Sequence, residues 1–440
     1  MKNLHISKKS STFAQNFKHS QKSKKLTIKS CARHKFRDTK MKKIYLVIFA
    51  LVANISLMKA EYGEIGGLYY WIDTEHSKAT VIYYNRDGNN DKEFYNYDCL
   101  TAANIPSTVH YEDEVINIVC SVTQIGSEAF SEAPHLISAS IPSSVDTIWY
   151  NAFSHCPKLK SVSIPEGVRF IDDYVFYDSP SLTSIHIPNS VTHLGGAFCH
   201  GCTSLTSASV GNGVKVLNAW SFAYCKNLTS MKLGSSIERI EYNAFIECSS
   251  LTSIELPKSI NHIDFGVFAQ CYALTSIDLP ENLTTISGSL LANCTSLASV
   301  TIGKNVTSIG DGAFYNCGEL TSIVLPASLT SIGKAFGGCK GLTSITCEAT
   351  TPPVCYGEMF DSVDKSVCKL YVPAESLDLY KETAPWSYFY DNILPIPASP
   401  TAIEQITTDQ SPVTNKILRD GKVLIQRGDK LYTIDGRLVR

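Results

Sequence analysis

Between residues 136 and 350 the apolar positions recur with a period of 23. Leu136, Leu159, Leu182, Leu205, Leu228, Leu251, Leu274, Leu297 and Leu320 keep that interval without exception, and Leu342 follows one residue early. Counted from each leucine, aliphatic residues return at +3, +5, +9 and +12, and phenylalanine at +17 in Phe153, Phe176, Phe222, Phe245, Phe268 and Phe314. A fixed period in the twenties is the mark of a solenoid, in which each turn buries its apolar side chains against its neighbours. In LTSIELP (251–257) the apolar +3 and +5 alternate with polar +2 and +4, the period of a strand, and Pro257 ends it. SINHI offers a second short extended piece, and GVFAQC reads as the turn that brings the chain around. The expected fold is mainly β: about ten 23-residue turns in a parallel ladder, rising ~4.8 Å per turn to a rod roughly 50 Å long.

A solenoid needs its two end turns covered. Before the first full repeat, IVCSVTQIGSEAF (118–130) keeps the spacing but has Ala133 where later turns have cysteine. Upstream, GLYYWIDTEHSKATVIYYNRDG is rich in aromatic and β-branched residues and carries an Asp87-Gly88 turn signal, which predicts a β-rich N-terminal cap over 61–112. The solenoid then runs over 113–350. The period breaks at CEATTPP, and CKLYVPAESLDLYKETAPWSYFYDNILPI supplies a strand, a short helix and large aromatics for a C-terminal cap over 351–397. A polar linker, 398–412, leads to KILRDGKVLIQRGDKLYTIDGRLVR, whose Asp420-Gly421 and Asp435-Gly436 turns separate short β-runs into a hairpin module over 413–440.

The front of the chain has no such pattern. Residues 1–40 hold ten Lys and two Arg against one acid, Asp38, and read as a disordered basic leader. MKKIYLVIFALVANISLMKA (41–60) has a basic start, a short apolar core and Ala60 at a plausible cleavage point, the layout of a secretory signal peptide. A membrane anchor would need ~20 apolar residues, more than this run supplies. Met41 therefore reads as the natural start, with 1–40 an over-long gene prediction, and no transmembrane span is expected in the mature chain. Removing 1–60 also changes the charge. Fifteen of the 39 basic residues leave with it but only one of the 41 acids, so the remainder carries about −16 rather than −2. So acidic a chain is no match for nucleic acid, whose phosphates call for basic stripes.

Eight of the fifteen cysteines fall in one column: Cys156, Cys202, Cys225, Cys248, Cys271, Cys294, Cys317 and Cys339. Secretion suggests disulfides, but residues stacked in successive turns have parallel Cβ vectors, a poor geometry for bridging. A column of buried thiols donating weakly to backbone carbonyls fits better. In AFCHGC (197–202), Cys199 and Cys202 form a C-x-x-C around His200, elsewhere a redox or metal motif. Here Cys202 already belongs to the column and Phe198 stands one position early, so an inserted residue accounts for the extra cysteine. Cys355 and Cys368 flank the C-terminal cap and are candidates for a disulfide within it.

Written out as L-T-S-I-x-L-P-x-S-V-x-x-I-G-x-x-A-F-x-x-C-x-x, the repeat resembles that of the BspA-like leucine-rich repeat proteins of Bacteroidetes and other microbes. The likeness is strongest over about 111–350, and TTPPV with LYVPAESLDLY resembles that family's C-terminal cap. The resemblance implies an extracellular or surface-attached protein whose partners are proteins or glycans of the host or of neighbouring bacteria. The last stretch similarly resembles the C-terminal tails that direct Bacteroidetes proteins to type IX secretion; an extra capping set of strands is the alternative.

Two outward columns flank the first strand. Position +2 is serine ten times, from Ser138 to Ser344, too uniform to encode a partner. Position +4 varies, and His186, Lys232, Glu255 and Asp278 are its candidate contact residues for a partner. A catalytic reading has no support: His186 and Asp278 lie four turns apart, roughly 19 Å at the ladder spacing, and no phosphate loop, H-E-x-x-H or G-x-S-x-G is present. No catalytic residue, metal ligand or cofactor is therefore assigned. The expected function is non-enzymatic adhesion, with a purely structural surface-layer or scaffold role as the alternative.

Overall fold

The computed structural model describes residues 61–65, 68–82, 97, 99–112 and 116–397, together with the backbone of four strands between 414 and 439. The basic leader, the apolar run at 41–60, the Asp87-Gly88 turn and the 398–412 linker lie outside the described residues. Among the described residues helix is scarce: two 3₁₀ turns and one α-helix, Leu377–Glu382, all near the C-terminal end.

Each turn of the solenoid contributes rungs on three sides. The first side holds the strands that start two residues after each leucine, such as Ser184–Ile187, Ser207–Val210 and Ser230–Lys232, paired in parallel with no shift of register. The alternation in L-T-S-I-x-L sends +3 and +5 inward, so Ile185 and Ile187 are buried while Ser184 and His186 are exposed. The second side holds two-residue strands ending at the +12 aliphatic, for example Phe170–Ile171, His193–Leu194 and Thr147–Ile148. Serines and threonines brace both sides. Thr206 Oγ1 donates to the carbonyl of Thr183 (3.1 Å) and Ser190 Oγ to that of Val168 (2.7 Å), one turn back in each case.

The third side, read from sequence only as a turn, is a hydrogen-bonded ladder of opposite polarity. Where the chain enters a strand its N–H donates to the preceding turn, as Thr206 does to Thr183 (2.9 Å), whereas here the N–H of Phe153 donates forward to Val175 (2.9 Å) and that of Phe245 to Val267 (3.0 Å). Reversing the peptide direction requires left-handed backbone, and two positions per turn adopt it. At +15 these include Asn151, Asn243, Gly266 and Ser289, and at +19 Asp178, Gly201, Asn293 and Asn316, all with φ between 49° and 74°. Most are residue types that enter this region at low cost. At Gly266 a Cβ would collide with Asn243 Oδ1, so glycine also makes room there.

The core is a stack of rings along the axis. Phe130 lies 5.0 Å from Phe153, Phe222 5.7 Å from Phe245 and Phe245 5.6 Å from Phe268, nearly parallel in each pair. Leu291 interrupts the stack, which resumes at Phe314 and Phe336, 5.3 Å apart. Tyr97 continues it at the N-terminal end, 5.1 Å from Phe130. At the other end Phe360 meets Trp386 and Phe389 edge-on, and Trp386 Nε1 donates to the Pro353 carbonyl at 3.0 Å.

The ladder is longer than the ten turns expected from the leucines. Lys369–Val372 pairs in parallel with Ser344–Cys347, and Ile393–Pro395 with Lys369–Val372, while Ala102–Asn104 precedes Ser138–Ser140 in the same manner. About twelve rungs result, because the flanking segments keep the strand geometry after the leucine period has stopped. Before them, Glu61–Ile65, Leu68–Asp73 and Lys78–Ile82 form an antiparallel meander, and Lys78–Ile82 joins Asn117–Ile125 in parallel. In the last part of the chain Thr414–Arg419 and Lys422–Arg427 form an antiparallel pair extended by Lys430–Thr433 and Leu438–Val439.

Candidate functional site

The first-strand side carries the residues singled out from sequence. His186, Ser209 and Lys232 are in direct register on three consecutive strands, and His186 Nδ1 and Ser209 Oγ share a 2.7 Å hydrogen bond. A shallow groove crosses these strands, lined by Ser161, Ser163, Ser184, His186, Ser209 and Lys232. No strand forms over 251–257, so Glu255 lies on an unpaired segment between this sheet and the next, where Asp278 pairs with Thr301. The structure thus brings His186 and Lys232 into one groove and leaves Glu255 and Asp278 one and two turns beyond it. All four are exposed. Lys232, Glu255 and Asp278 form no ion pair among the described residues, whereas Lys215 with Glu238, Lys226 with Glu247 and Arg239 with Glu241 do.

Inside the third side, the column thiols share one partner. Cys202 Sγ donates to the Phe176 carbonyl (3.1 Å), Cys248 to Phe222 (3.2 Å), Cys271 to Phe245 (3.3 Å) and Cys294 to Phe268 (3.1 Å), each 26 residues back. Cys156, Cys225, Cys317 and Cys339 do the same to Phe130, Cys199, Leu291 and Phe314. Ser179 fills the one turn without a column cysteine, its Oγ 2.9 Å from the Phe153 carbonyl. Burial pushes the thiols of Cys225, Cys248, Cys271, Cys294 and Cys317 well up, and those of Cys156 and Cys339 to about 12, so these stay protonated and able to donate.

The C-x-x-C contains no inserted residue. The N–H of Cys199 donates to the Ser221 carbonyl and that of Phe222 to Ala244, so Cys199 occupies the +17 slot in unbroken register and Phe198 the slot before it. The Phe198 ring still reaches Phe176 at 5.2 Å and Phe222 at 6.3 Å, because the swap moves its attachment by only one residue. Cys199 is fully buried and its thiol is pushed up by that burial, an inert setting. Cys355 and Cys368 are separate thiols: Cys355 Sγ faces the Pro353 carbonyl at 3.3 Å. Among the described residues no three His, Cys, Asp or Glu side chains converge as a metal set.

A second outward feature was not read from the sequence. On the third side a chain of touching rings runs across six turns: Tyr150 to Tyr174 (5.6 Å), Tyr174 to Tyr177 (5.4 Å), Tyr177 to His200 (4.7 Å), His200 to Trp220 (5.9 Å), Trp220 to Tyr242 (5.3 Å) and Tyr242 to Phe265 (6.2 Å). Tyr174, Tyr242 and Phe265 are 38%, 40% and 45% exposed. Burial holds the His200 imidazole below its usual range, and its Nδ1 has no hydrogen-bond partner. The signal lay in the +14 and +15 columns, where aromatics crowd into these turns and are absent from the next.

The model of the BspA type leucine-rich repeat region matches in six copies over residues 89–206, 195–318 and 307–357, well over half of the chain. The chain belongs to the BspA-type leucine-rich repeat family. Among solved structures, the chain is similar to a leucine-rich cell surface protein of Faecalibacterium prausnitzii (22% identity, 71% of this chain and 94% of that one, TM-score 0.43). A leucine-rich repeat protein of Bacteroides ovatus is similar at 24% identity over 76% of this chain and 99% of that one (TM-score 0.39). The pneumococcal vaccine antigen PcpA is similar at 17% over 77% and 99% (TM-score 0.36). No curated protein matches. Among the described residues of this BspA-type chain, no helix is long and apolar enough to cross a membrane.

Proposed function

We propose that this BspA-type protein is secreted or held at the cell surface, and that it is a non-enzymatic binding protein recognising extracellular proteins or glycans of a host or of neighbouring bacteria. The observation that carries this reading is the state of the charges in the +4 column. Lys232, Glu255 and Asp278 stand exposed on consecutive turns against a background of serine hydroxyls, and among the described residues they form no ion pair, whereas Lys215, Lys226 and Arg239 on other sides are paired with Glu238, Glu247 and Glu241. Rigid repeats bind by varying such a column over a fixed scaffold. The signal-peptide pattern at 41–60, the acidic mature charge and the family membership support an extracellular setting. Among the described residues no carboxylate hydrogen-bonds the His186–Ser209 pair, which supports reading the groove as a contact surface.

The test is saturable binding of the purified protein to an array of extracellular matrix proteins, glycans and bacterial surfaces at two ionic strengths. A partner that saturates and weakens in high salt supports recognition by this column. Self-association with no ligand on the array favours a surface-layer scaffold instead.

A further inference from the structure

The ring chain on the third side is not demanded by the fold. In later turns the same two columns hold Gly288 with Ser289 and Asp311 with Gly312, and the backbone ladder is unchanged there: the N–H of Ser289 donates to Asp311 at 2.9 Å. Aromatics are also the less favourable choice locally. Tyr174 and Trp220 adopt φ of 62° and 60°, a region where bulky side chains are strained and where other turns use Asn, Ser or Gly. Residues that oppose the backbone preference, and leave rings open to solvent, mark a surface kept for contact.

The charges around the rings indicate what that contact is. Burial and then the charge of Glu128, with Asp173 and Asp172 further down, push the Tyr150 phenol up; Asp173 also acts on Tyr174. Asp264 adjoins Phe265 at the far end. His193 is the basic group that acts on Asp172, and Asp173 Oδ1 accepts the Gly196 N–H at 2.6 Å; among the described residues no Lys or Arg forms an ion pair with Glu128, Asp172 or Asp173, while Lys226 and Arg239 further along are paired with Glu247 and Glu241. Ring faces and carboxylates attract the same ligand, a cation with a flat apolar surface.

We propose that the stripe from Tyr150 to Phe265 is a second docking surface, whose occupant is a polypeptide segment presenting arginine and lysine side chains. Guanidinium groups stack on Tyr174, Tyr242 and Phe265 and reach the carboxylates of Asp172 and Asp173 beside them. This surface lies on a different side of the solenoid from the +4 column, and it stands or falls independently of the reading given for that column.

The experiment uses the full chain and a fluorescently labelled octaarginine peptide, with octalysine, polyglutamate and a neutral cello-oligosaccharide as comparisons. Binding is read by anisotropy. The expected result is saturable octaarginine binding, tighter than octalysine. It should weaken about tenfold in a Tyr174→Asn/Tyr242→Asn/Phe265→Asn variant, which leaves net charge untouched. Lys304→Ser, at an exposed position outside both surfaces, should bind octaarginine as the parent does. Thermal melting reports whether the triple variant folds, and Tyr242→Asn alone, expected to lose a smaller but measurable part, serves if it does not. Equal octaarginine binding by parent and ring variants would show attraction by net charge alone and overturn the proposal. Binding of the oligosaccharide in place of the peptide would overturn the assigned occupant.

Discussion

The thiol of Cys248 donates to the carbonyl oxygen of Phe222 across 3.2 Å, from one turn to the preceding one. The Phe222 N–H is spent on the following turn, on Ala244 at 2.9 Å, so the Phe222 residue is tied in both directions along the axis. The column is small because the third side is narrow, and polar because a buried carbonyl otherwise lacks part of its hydrogen bonding.

That role predicts an unusual order of tolerance. Buried Cys→Ala is ordinarily milder than Cys→Ser, since the hydroxyl must be desolvated. Here Ser179 already performs the same task at 2.9 Å. Cys248→Ser should therefore cost under about 1 kcal/mol, and Cys248→Ala about 1–2 kcal/mol for the lost hydrogen bond. Urea unfolding midpoints of the two variants decide it; a more stable alanine variant would contradict the assignment.

Alkaline pH should unfold the solenoid. Seven of the column thiols, Cys202 aside, have folded pKa values above the ordinary 9.0, about 12 for Cys156 and Cys339, so their contribution is fully present below the unfolded value and is lost as pH rises from there through the folded one. Each thiol that ionises only on unfolding removes ~1.4 kcal/mol per pH unit. Midpoints measured at pH 7, 9 and 10.5 should fall steeply over the last step, and less steeply in Cys225→Ser/Cys248→Ser. A flat profile would mean the thiols are not buried as protonated donors.

The ring stack should be most sensitive in its interior. Phe222 is fully buried against Phe245, and Phe222→Ala should cost about 3–5 kcal/mol. Phe268→Leu should be far milder, under about 1.5 kcal/mol, because Leu291 occupies the same column one turn on without breaking the fold. Thermal denaturation of both variants gives the comparison.

Tyr174 offers a test of backbone cost. At φ 62° and 38% exposed, it should lose little on replacement by asparagine, the residue found in the same column at 151 and 243. Tyr174→Asn should leave the melting temperature unchanged or raise it by a few degrees. A fall comparable to that of a core variant would show that the ring is structural.

How much of this was legible in the sequence follows from how strongly each feature depends on residue type. The leucine, aliphatic and phenylalanine columns are buried in every turn, so they repeat and announce the solenoid. The third side was harder to read because its ladder is built from backbone, and its side-chain signature is only a scatter of Asn, Gly, Ser and Asp at +15 and +19. The end turns were undercounted because Lys369–Val372 and Ile393–Pro395 keep strand pairing without the leucine. At Cys199 a swap of two neighbouring residues looks like an insertion until the hydrogen-bond register is known. Of the candidate site, the alternation placed His186 and Lys232 on one outward face, but Glu255 on an unpaired segment could not be told from its neighbours, since LTSIELP has the same pattern as segments that do form strands. The aromatic stripe escaped because its members fall at +14, +15 and +18, so no single column shows it.

The central claim is recognition through the +4 column, and one comparison tests it most directly. The protein and a variant with His186, Lys232, Glu255 and Asp278 all changed to serine are titrated against a partner that binds the parent, after matched circular dichroism and melting curves confirm that both are folded. The account predicts that the variant loses most of the affinity and its salt dependence. Undiminished binding by the variant would contradict it and move recognition to another side of the solenoid.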